Sequence, residues 1–158
     1  MSKLIQSAFL DFSEAFDRLQ PALVIEKMIS YGFNTKIVSL VSSFLNGRKQ
    51  CVKFSNCFSD YVSTHVGSLQ GTKLGLLLWL IYVNDLQAED YRCIKYADDT
   101  TFYRRSNDHF STNLIGDAVS ATNSWSFKNS MIMNSSKTVI LNISLSSRSD
   151  IVLYLMLF

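Results

Sequence analysis

Two runs of strand-forming residues, separated by a pair of adjacent carboxylates, most constrain what this chain can fold into. The runs RCIKYA (92–97) and TTFYRR (100–105) predict two strands joined at Ala97–Asp99. Asp98 and Asp99 then lie on a tight turn, where aspartate is common for purely structural reasons. Two negative charges this close are costly unless a positive charge lies between them. The pair is therefore also typical of a divalent-cation site.

The rest of the chain mixes helices and strands without regular alternation. Apolar spacing predicts amphipathic helices over 17–33, 34–48 and 111–127, and a continuously apolar helix over 74–83. Further strands are predicted over 8–11 and 135–145, and a hairpin between 49–55 and 58–66. This pattern predicts an α+β fold with an antiparallel sheet.

Local signals fix two of the predicted helix starts. Pro21 suits a first helical turn, because its missing N–H has no partner there in any case. Asn34 is a preferred residue at the cap of the helix predicted over 34–48. The apolar face of that helix is predicted to consist of Ile37, Leu40, Val41 and Phe44.

Composition excludes several classes of protein. With 47% apolar residues among 158, the chain can bury a core, and its net charge of +2 does not by itself indicate nucleic acid or a membrane. Three cysteines without a CxxC pair indicate reduced thiols in an intracellular protein, nuclear or cytoplasmic, and argue against a zinc site. The N-terminus lacks a secretion signal, and the apolar run 74–83 is too short to span a membrane.

A third carboxylate, Asp11, lies at the end of the strand predicted over 8–11, where it could simply cap the next helix. Taken together with Asp98 and Asp99, it gives three carboxylates at the ends of two strands. Such a set can hold two Mg²⁺ ions about 4 Å apart, which activate a 3′-hydroxyl and stabilise the leaving pyrophosphate. Phosphoryl transfer requires little more than this positioning and charge.

Four blocks carry a more specific signal: FLDFSEAFD (9–17), GSLQGTKLGLLLWLIYVNDL (67–86), YADDT (96–100) and NSSKTVIL (134–141). In this order they closely resemble the palm motifs of reverse transcriptases from non-LTR (LINE-type) retrotransposons. The resemblance covers roughly residues 7–143 and includes Trp125 before the last block. It implies a polymerase palm, an antiparallel sheet with helices on one face. It also implies a partial right-hand polymerase that lacks most of the fingers and thumb.

The resemblance assigns the chemistry to five residues. Asp11, Asp98 and Asp99 match the metal-binding aspartates for two Mg²⁺ ions, with Mn²⁺ as a substitute, and the carbonyl of Phe12 lies near them in the family. Lys137 matches the lysine that meets the triphosphate. Without the motif, Lys137 would be a solvated lysine at the start of a strand.

Four other residues match positions that contact the substrates, which in this family are an RNA template, a DNA primer and a dNTP. Phe16 corresponds to the aromatic gate under the incoming sugar, and Gln70 with Gly71 to the loop that touches the nucleotide and template. Tyr96 corresponds to the residue that supports the primer end. On structural grounds alone, Phe16 and Tyr96 would be a core ring and a strand aromatic.

The chain departs from the family pattern at two positions. Leu69 and Leu76 stand where prolines are usual, so we expect the loop before Gln70 to be held less firmly. Lys49 and Lys53 could contact the phosphates of a nucleic-acid backbone or could form an ordinary solvated hairpin surface, and the same alternatives hold for Arg48.

Residues 1–145 are expected to form the partial reverse transcriptase domain, and residues 146–158 a non-homologous apolar tail. Three hypotheses follow for the function. The first is an RNA-directed DNA polymerase domain, and the second is a catalytically inactive remnant of a decayed element, because a palm alone has little to grip a hybrid. The third is a nucleic-acid-binding palm module, which the lack of an obvious basic stripe interleaved with aromatics disfavours.

Overall fold

The structure, a computed structural model, describes the backbone of residues 3–106, 114–145 and 151–157 and the side chains of 4–105 and 115–143. The chain divides into two compact units. We call residues 1–15 with 85–158 the sheet unit, and residues 16–84 the helical unit.

Nine strands and five α-helices follow one another along the described parts of the chain. They are β1 (Lys3–Leu10), α1 (Ala15–Arg18), α2 (Pro21–Ser30), α3 (Thr35–Leu45), β2 (Arg48–Gln50), β3 (Lys53–Phe54), β4 (Cys57–Phe58), β5 (Val62–Thr64), α4 (Lys73–Val83), β6 (Arg92–Tyr96), β7 (Asp99–Ser106), α5 (Leu114–Lys128), β8 (Val139–Leu145) and β9 (Ile151–Leu157). A short 3₁₀ helix, Ser135–Lys137, precedes β8.

The sheet unit is built on five strands in the order β6-β7-β1-β8-β9, with every neighbouring pair antiparallel. Alternate residues of β1, β7 and β8 are buried on one face, as expected for a sheet covered on one side; these are Ala8, Leu10, Thr100, Phe102 and Ile140. Helix α5 contacts β1. The predicted α+β class with an antiparallel palm-type sheet is confirmed.

Two strands extend beyond the sequence prediction. β1 begins at Lys3, whereas the prediction began at residue 8, because its early residues pair with β7 and β8 on both sides. β9 was not predicted at all, and it pairs with β8 from Val139–Leu157 to Leu145–Ile151. An apolar segment beside an open sheet edge can satisfy the edge's hydrogen bonds. The proposed domain boundary at residue 145 stays a prediction.

The helical unit packs its helices around a core that includes Leu19, Val24, Met28, Val41, Leu45, Leu78, Trp79 and Tyr82. Pro21 lies in the first turn of α2 as predicted, but the helix predicted over 17–33 begins only at Pro21, and Ala15–Arg18 form the separate short helix α1. The side chain of Asn34 accepts a hydrogen bond from the backbone N–H of Lys36 and so caps α3. The amine of Lys27 is buried and donates to the carbonyl of Tyr82 at 2.7 Å, which ties α2 to α4.

The predicted apolar face of α3 is wrong in part. Ile37 and Leu40 are 48% and 68% exposed, whereas Val41 and Leu45 are buried. Val38, Val41 and Leu45 recur at the three- and four-residue spacing of one helix stripe, and this stripe of α3 packs against the unit's core. Ile37 and Leu40 lie on the neighbouring stripe. The sequence could not distinguish these neighbouring stripes, because both are apolar.

Residues 48–64 form a hairpin, here called the arm. β2 pairs with β5 and β3 pairs with β4, which confirms the hairpin predicted over 49–66. Its turn is at Ser55–Asn56, with Ser55 at φ +53°. Nearly all side chains of the arm are exposed. Among the described residues, no helix has the length and apolar character required to cross a membrane.

Candidate active site

The turn between β6 and β7 carries the paired carboxylates. Tyr96 pairs with Asp99 across the two strands, so Ala97 and Asp98 form a two-residue turn and the predicted hairpin is confirmed. Ala97 has φ +51°. A positive φ is what tight hairpin turns require, but it is strained for a residue other than glycine. Tyr96 is 80% exposed at the edge of this turn.

The register places Asp11 beside that turn. Leu10 is the last paired residue of β1 and lies opposite Thr100 of β7. The next residues on the two neighbouring strands are Asp11 and Asp99, and Asp98 precedes Asp99 in the turn. All three predicted carboxylates therefore lie at adjacent strand ends of the sheet unit.

The donor set suits a hard divalent cation, because carboxylate oxygens are the ligands that Mg²⁺ prefers. The side chains do not converge, however: within the described residues, no three His, Cys, Asp or Glu side chains form a group that could hold a metal ion. The residues thus fit the metal in donor chemistry and backbone register.

The carboxylate of Asp11 is instead engaged by the segment before β8. Its Oδ2 lies 3.3 Å from Nζ of Lys137, and the two side chains are 14% and 68% exposed, respectively. The same Oδ2 accepts a hydrogen bond of 3.2 Å from Nδ2 of Asn134. The structure therefore brings together the predicted residues Asp11 and Lys137, and it adds Asn134, which the sequence analysis missed.

Asn134 connects Asp11 to the turn before β8. Its backbone N–H donates to the carbonyl of Asp11, and its Oδ1 accepts from Oγ of Ser136 at 2.7 Å. Its carbonyl accepts from the backbone N–H of Lys137 and from Oγ1 of Thr138. An Asn followed two residues later by a hydroxyl is typical of a side-chain-stabilised turn, and that signal was present in NSSK.

Phe12 is buried behind this site. Its ring centroid lies 5.6 Å from that of Trp125, and its backbone forms a bridge with Met133. Nε1 of Trp125 donates to Oδ1 of Asp85 at 2.9 Å. The sequence analysis assigned no role to Asp85, so its hydrogen bond to Trp125 is a further contact that was missed.

The helical unit contains three of the other predicted residues. Phe16, Gln70 and Gly71 line one cavity of about 430 Å³ together with Leu69, Thr72, Lys73 and Leu76. The ring of Phe16 packs against Trp79, with centroids 5.5 Å apart. The structure thus places the predicted gate and loop residues on one concave surface. Through its contact with Trp79, Phe16 also contributes in part to the core, as expected for this ring on structural grounds alone.

Backbone hydrogen bonds hold the loop that carries Gln70. The N–H of Gly67 donates to the carbonyl of Leu19 at 2.7 Å, and that of Ser68 to the carbonyl of Phe16 at 2.8 Å. Gly67 has φ +83°, and a Cβ there would lie 2.9 Å from the carbonyl oxygen of Asp17. The side chain of Asp17 also accepts from Nε2 of Gln70 at 2.9 Å, a contact that the sequence did not indicate.

Arg48 and Thr72 fasten the two ends of this loop. Nη2 of Arg48 donates to the carbonyls of Val66 and Gly67. Oγ1 of Thr72 donates to the carbonyl of Leu69 and accepts from the N–H of Gly75, so it caps α4. Arg48 therefore binds the protein's own backbone, a role that neither of the two alternatives for this residue included.

Comparison with known proteins agrees with this architecture. Residues 3–155 match the family model described as reverse transcriptase (RNA-dependent DNA polymerase). Solved structures with the same fold include telomerase from Candida tropicalis in complex with a TWJ fragment of telomeric RNA. That match has a TM-score of 0.66 and 15% identity, and covers 93% of this chain and 27% of the telomerase chain. Telomerase from Candida albicans gives a TM-score of 0.64 at 13% identity, over 93% of this chain and 30% of the other.

Relatives in sequence are enzymes of mobile elements. A probable RNA-directed DNA polymerase from transposon X-element of Drosophila melanogaster is 30% identical over 139 residues, which is 84% of this chain and 15% of the relative. The RNA-directed DNA polymerase from mobile element jockey of Drosophila funebris is 27% identical over 141 residues, again 15% of its length. The chain belongs to the reverse transcriptase family and carries, over most of its length, a reverse transcriptase domain of the non-LTR retrotransposon type.

Proposed function

We propose that this chain supplies the palm of an RNA-directed DNA polymerase, which adds deoxynucleotides to the 3′-hydroxyl of a DNA primer on an RNA template. The observation that carries the proposal is the register that leads from the Leu10–Thr100 pair to Asp11 and Asp99, with Asp98 in the adjoining turn. A decayed, inactive remnant is the alternative, and the intact carboxylate set and the family match disfavour it.

Reverse transcriptases use divalent metal ions. In this chain we assign two Mg²⁺ ions, replaceable by Mn²⁺, to Asp11, Asp98 and Asp99. When bound, such ions activate the attacking hydroxyl and neutralise the charge that develops on the phosphates. Because Oδ2 of Asp11 is engaged by Lys137 and Asn134, Asp11 must either use its other oxygen or exchange these partners for the ion.

The remaining assignments follow from where the side chains lie. Lys137 is an exposed ammonium beside a carboxylate, which suits it to meet the triphosphate and to donate a proton to the leaving pyrophosphate. Phe16, Gln70 and Gly71 share a cavity, to which we assign the incoming nucleotide. Tyr96 exposes its ring at the turn, which supports a role at the primer end.

Template binding is a property of the family, and the telomerase structures named above contain telomeric RNA. We propose an RNA template, a DNA primer and dNTPs as the partners of this chain, and an intracellular location in the nucleus or cytoplasm. The chain spans about 15% of the relatives' length, so these partners are proposed for the polymerase of which this palm is a part.

Incorporation of labelled dNTPs on a primed RNA template, with Mg²⁺ or Mn²⁺, tests the proposal. We expect Asp98→Asn to lower the rate by about 100-fold or more, as is typical when a group that stabilises transition-state charge is removed. Asp117→Asn removes one negative charge, as Asp98→Asn does, but from the exposed face of α5, and it should leave the rate unchanged. No incorporation by a wild-type chain that unfolds cooperatively would refute the proposal for this chain.

A further inference from the structure

The segment before β8 holds one particular oxygen of Asp11. In the sheet, β1 lies between β7 and β8. Asp11, at the end of β1, therefore has the turn with Asp98 on its β7 side and the segment 134–137 on its β8 side. Both side-chain contacts that the structure gives Asp11, from Asn134 and from Lys137, are made to Oδ2 and come from the β8 side. They leave Oδ1 for the side on which the other two carboxylates lie.

The two contacts to Oδ2 differ in kind. Lys137 is 68% exposed and carries a positive charge, so beside Asp11 it opposes the approach of any cation. Asn134 is neutral and partly buried. A neutral amide can hold a carboxylate without repelling a cation, so Asn134 is the contact that remains compatible with a bound metal ion.

The orientation of the Asn134 amide is fixed at both ends. Because a carboxylate only accepts hydrogen bonds, the Nδ2 end must face Asp11. The Oδ1 end accepts from Oγ of Ser136 at 2.7 Å. The backbone N–H of Asn134 donates to the carbonyl of Asp11 at 2.9 Å, beside the bridge between Phe12 and Met133. Main chain and side chain of Asn134 are therefore both held in place against Asp11.

We propose that Asn134 is a positioning residue for the divalent cation: it holds Oδ2 of Asp11, so that Oδ1 is presented to the ion assigned to Asp11, Asp98 and Asp99. Hydrogen-bond partners of a metal-binding carboxylate orient it, and their loss lowers metal affinity roughly 10- to 100-fold. The inference rests on the proposed function, because it takes Asp11 as a metal ligand. Lys137 contacts the same oxygen without this role, since its charge opposes the ion.

Electron paramagnetic resonance of free Mn²⁺, titrated into the full chain, measures metal affinity without any catalysis. Mn²⁺ that still binds to Asp11→Asn is bound elsewhere and is subtracted. We expect Asn134→Ala to raise Kd at the site about tenfold. Lys137→Met nearly keeps the length of the side chain but removes its charge, and it should lower Kd about threefold, within the range measured for exposed ion pairs.

Two further variants separate positioning of Asp11 from support of the turn. Thr138→Val removes the hydroxyl that donates to the carbonyl of Asn134 at 2.9 Å. It should lower stability without changing Kd, because that bond does not involve Asp11. Ser136→Ala frees the Asn134 amide to rotate and should raise Kd about threefold. In an Asn134→Ala background it should have no effect, since Ser136 acts through Asn134.

The assignment is overturned if Asn134→Ala binds Mn²⁺ as tightly as the wild-type chain, or if Thr138→Val weakens binding equally. It is also overturned if Lys137→Met weakens binding as Asn134→Ala does. Equal Mn²⁺ binding by Asp11→Asn and the wild-type chain would remove the metal assignment as well. If Mn²⁺ affinity depends on Asn134 in a chain that incorporates no nucleotide, the polymerase proposal fails and this one stands. If incorporation is observed and Asn134→Ala changes neither Kd nor rate, the reverse holds.

Discussion

Replacing Gly75 with alanine tests how closely α4 and the loop carrying Gln70 are packed. Gly75 is buried in the first turn of α4. A Cβ at this position would lie 2.5 Å from the carbonyl oxygen of Leu69, 2.7 Å from Oγ of Ser68 and 2.9 Å from Oγ1 of Thr72. The first of these contacts is about 0.9 Å shorter than the 3.4 Å at which ordinary contact begins. The loop backbone must therefore move.

The size of the effect follows from these contacts. Forcing an extra methyl into a packed site costs about 1–3 kcal/mol, and replacing glycine in a helix returns at most about 1 kcal/mol. Because the nearest clash is with backbone, the cost should lie at the upper end of that range, about 3 kcal/mol, and the net loss in the free energy of unfolding should be about 2 kcal/mol. Because Gln70 follows Leu69 directly, a shift approaching 1 Å should also lower dNTP incorporation by about 100-fold if the proposed function is correct.

The matched control is Gly116→Ala in α5, where a Cβ would meet nothing within 4 Å. That variant should be more stable than wild type by about 0.5 kcal/mol, because alanine is the better helix former. Urea unfolding followed by tryptophan fluorescence measures both effects, since Trp79 lies in the helical unit and Trp125 in the sheet unit. The packing argument is wrong if Gly75→Ala is as stable as wild type, or if both variants lose equal stability.

Two further predictions concern the sheet unit. Asn134→Ala should lower the free energy of unfolding by about 2 kcal/mol, because it removes a charge-assisted hydrogen bond to Asp11 and a second hydrogen bond from Ser136. The control Ser136→Ala removes only the second bond and should cost about 0.5 kcal/mol. Equal losses for the two variants in urea titrations would contradict this. Burial raises the pKa of the Cys93 thiol above its ordinary value of 9.0, so iodoacetamide at pH 8 should modify the exposed Cys57 faster than Cys93. The stability that the raised pKa contributes is present below about pH 9 and is lost as pH rises through the folded-state value. Equal alkylation rates in the folded chain, counted by mass spectrometry, would show that the burial has no effect.

The parts of the structure that the sequence predicted are those that local interactions determine. The turn at Ala97–Asp98 lies between two strand-forming runs, Pro21 lies in the first turn of a helix, and Asn34 caps one. Each depends on residues only a few positions apart in the chain. The positions of Asp98 and Asp99 could be predicted for the same reason, because the hairpin alone places them in or beside the turn.

The parts that the sequence did not predict depend on long-range pairing. Asn134 and Asp11 are separated by 123 positions, and the bridge between Phe12 and Met133, together with the pairing of β1 and β8, brings their side chains within hydrogen-bond distance. The buried stripe of α3 depends on which of two apolar stripes faces the core, and periodicity cannot decide this. β9 required knowledge of an open edge on β8.

The two leucines at expected proline positions show how such tertiary contacts change the interpretation of a sequence. Proline would restrict mainly the unfolded chain, which is worth about 0.4–1 kcal/mol at a compatible position. The folded loop, however, is held by hydrogen bonds from the backbones of Gly67 and Ser68, from Arg48 and from Thr72, each worth about 0.5–1.5 kcal/mol. Leu69 and Leu76 are about half exposed. The departure from the family pattern therefore lowers stability slightly without removing what positions Gln70, and it does not argue for an inactive remnant.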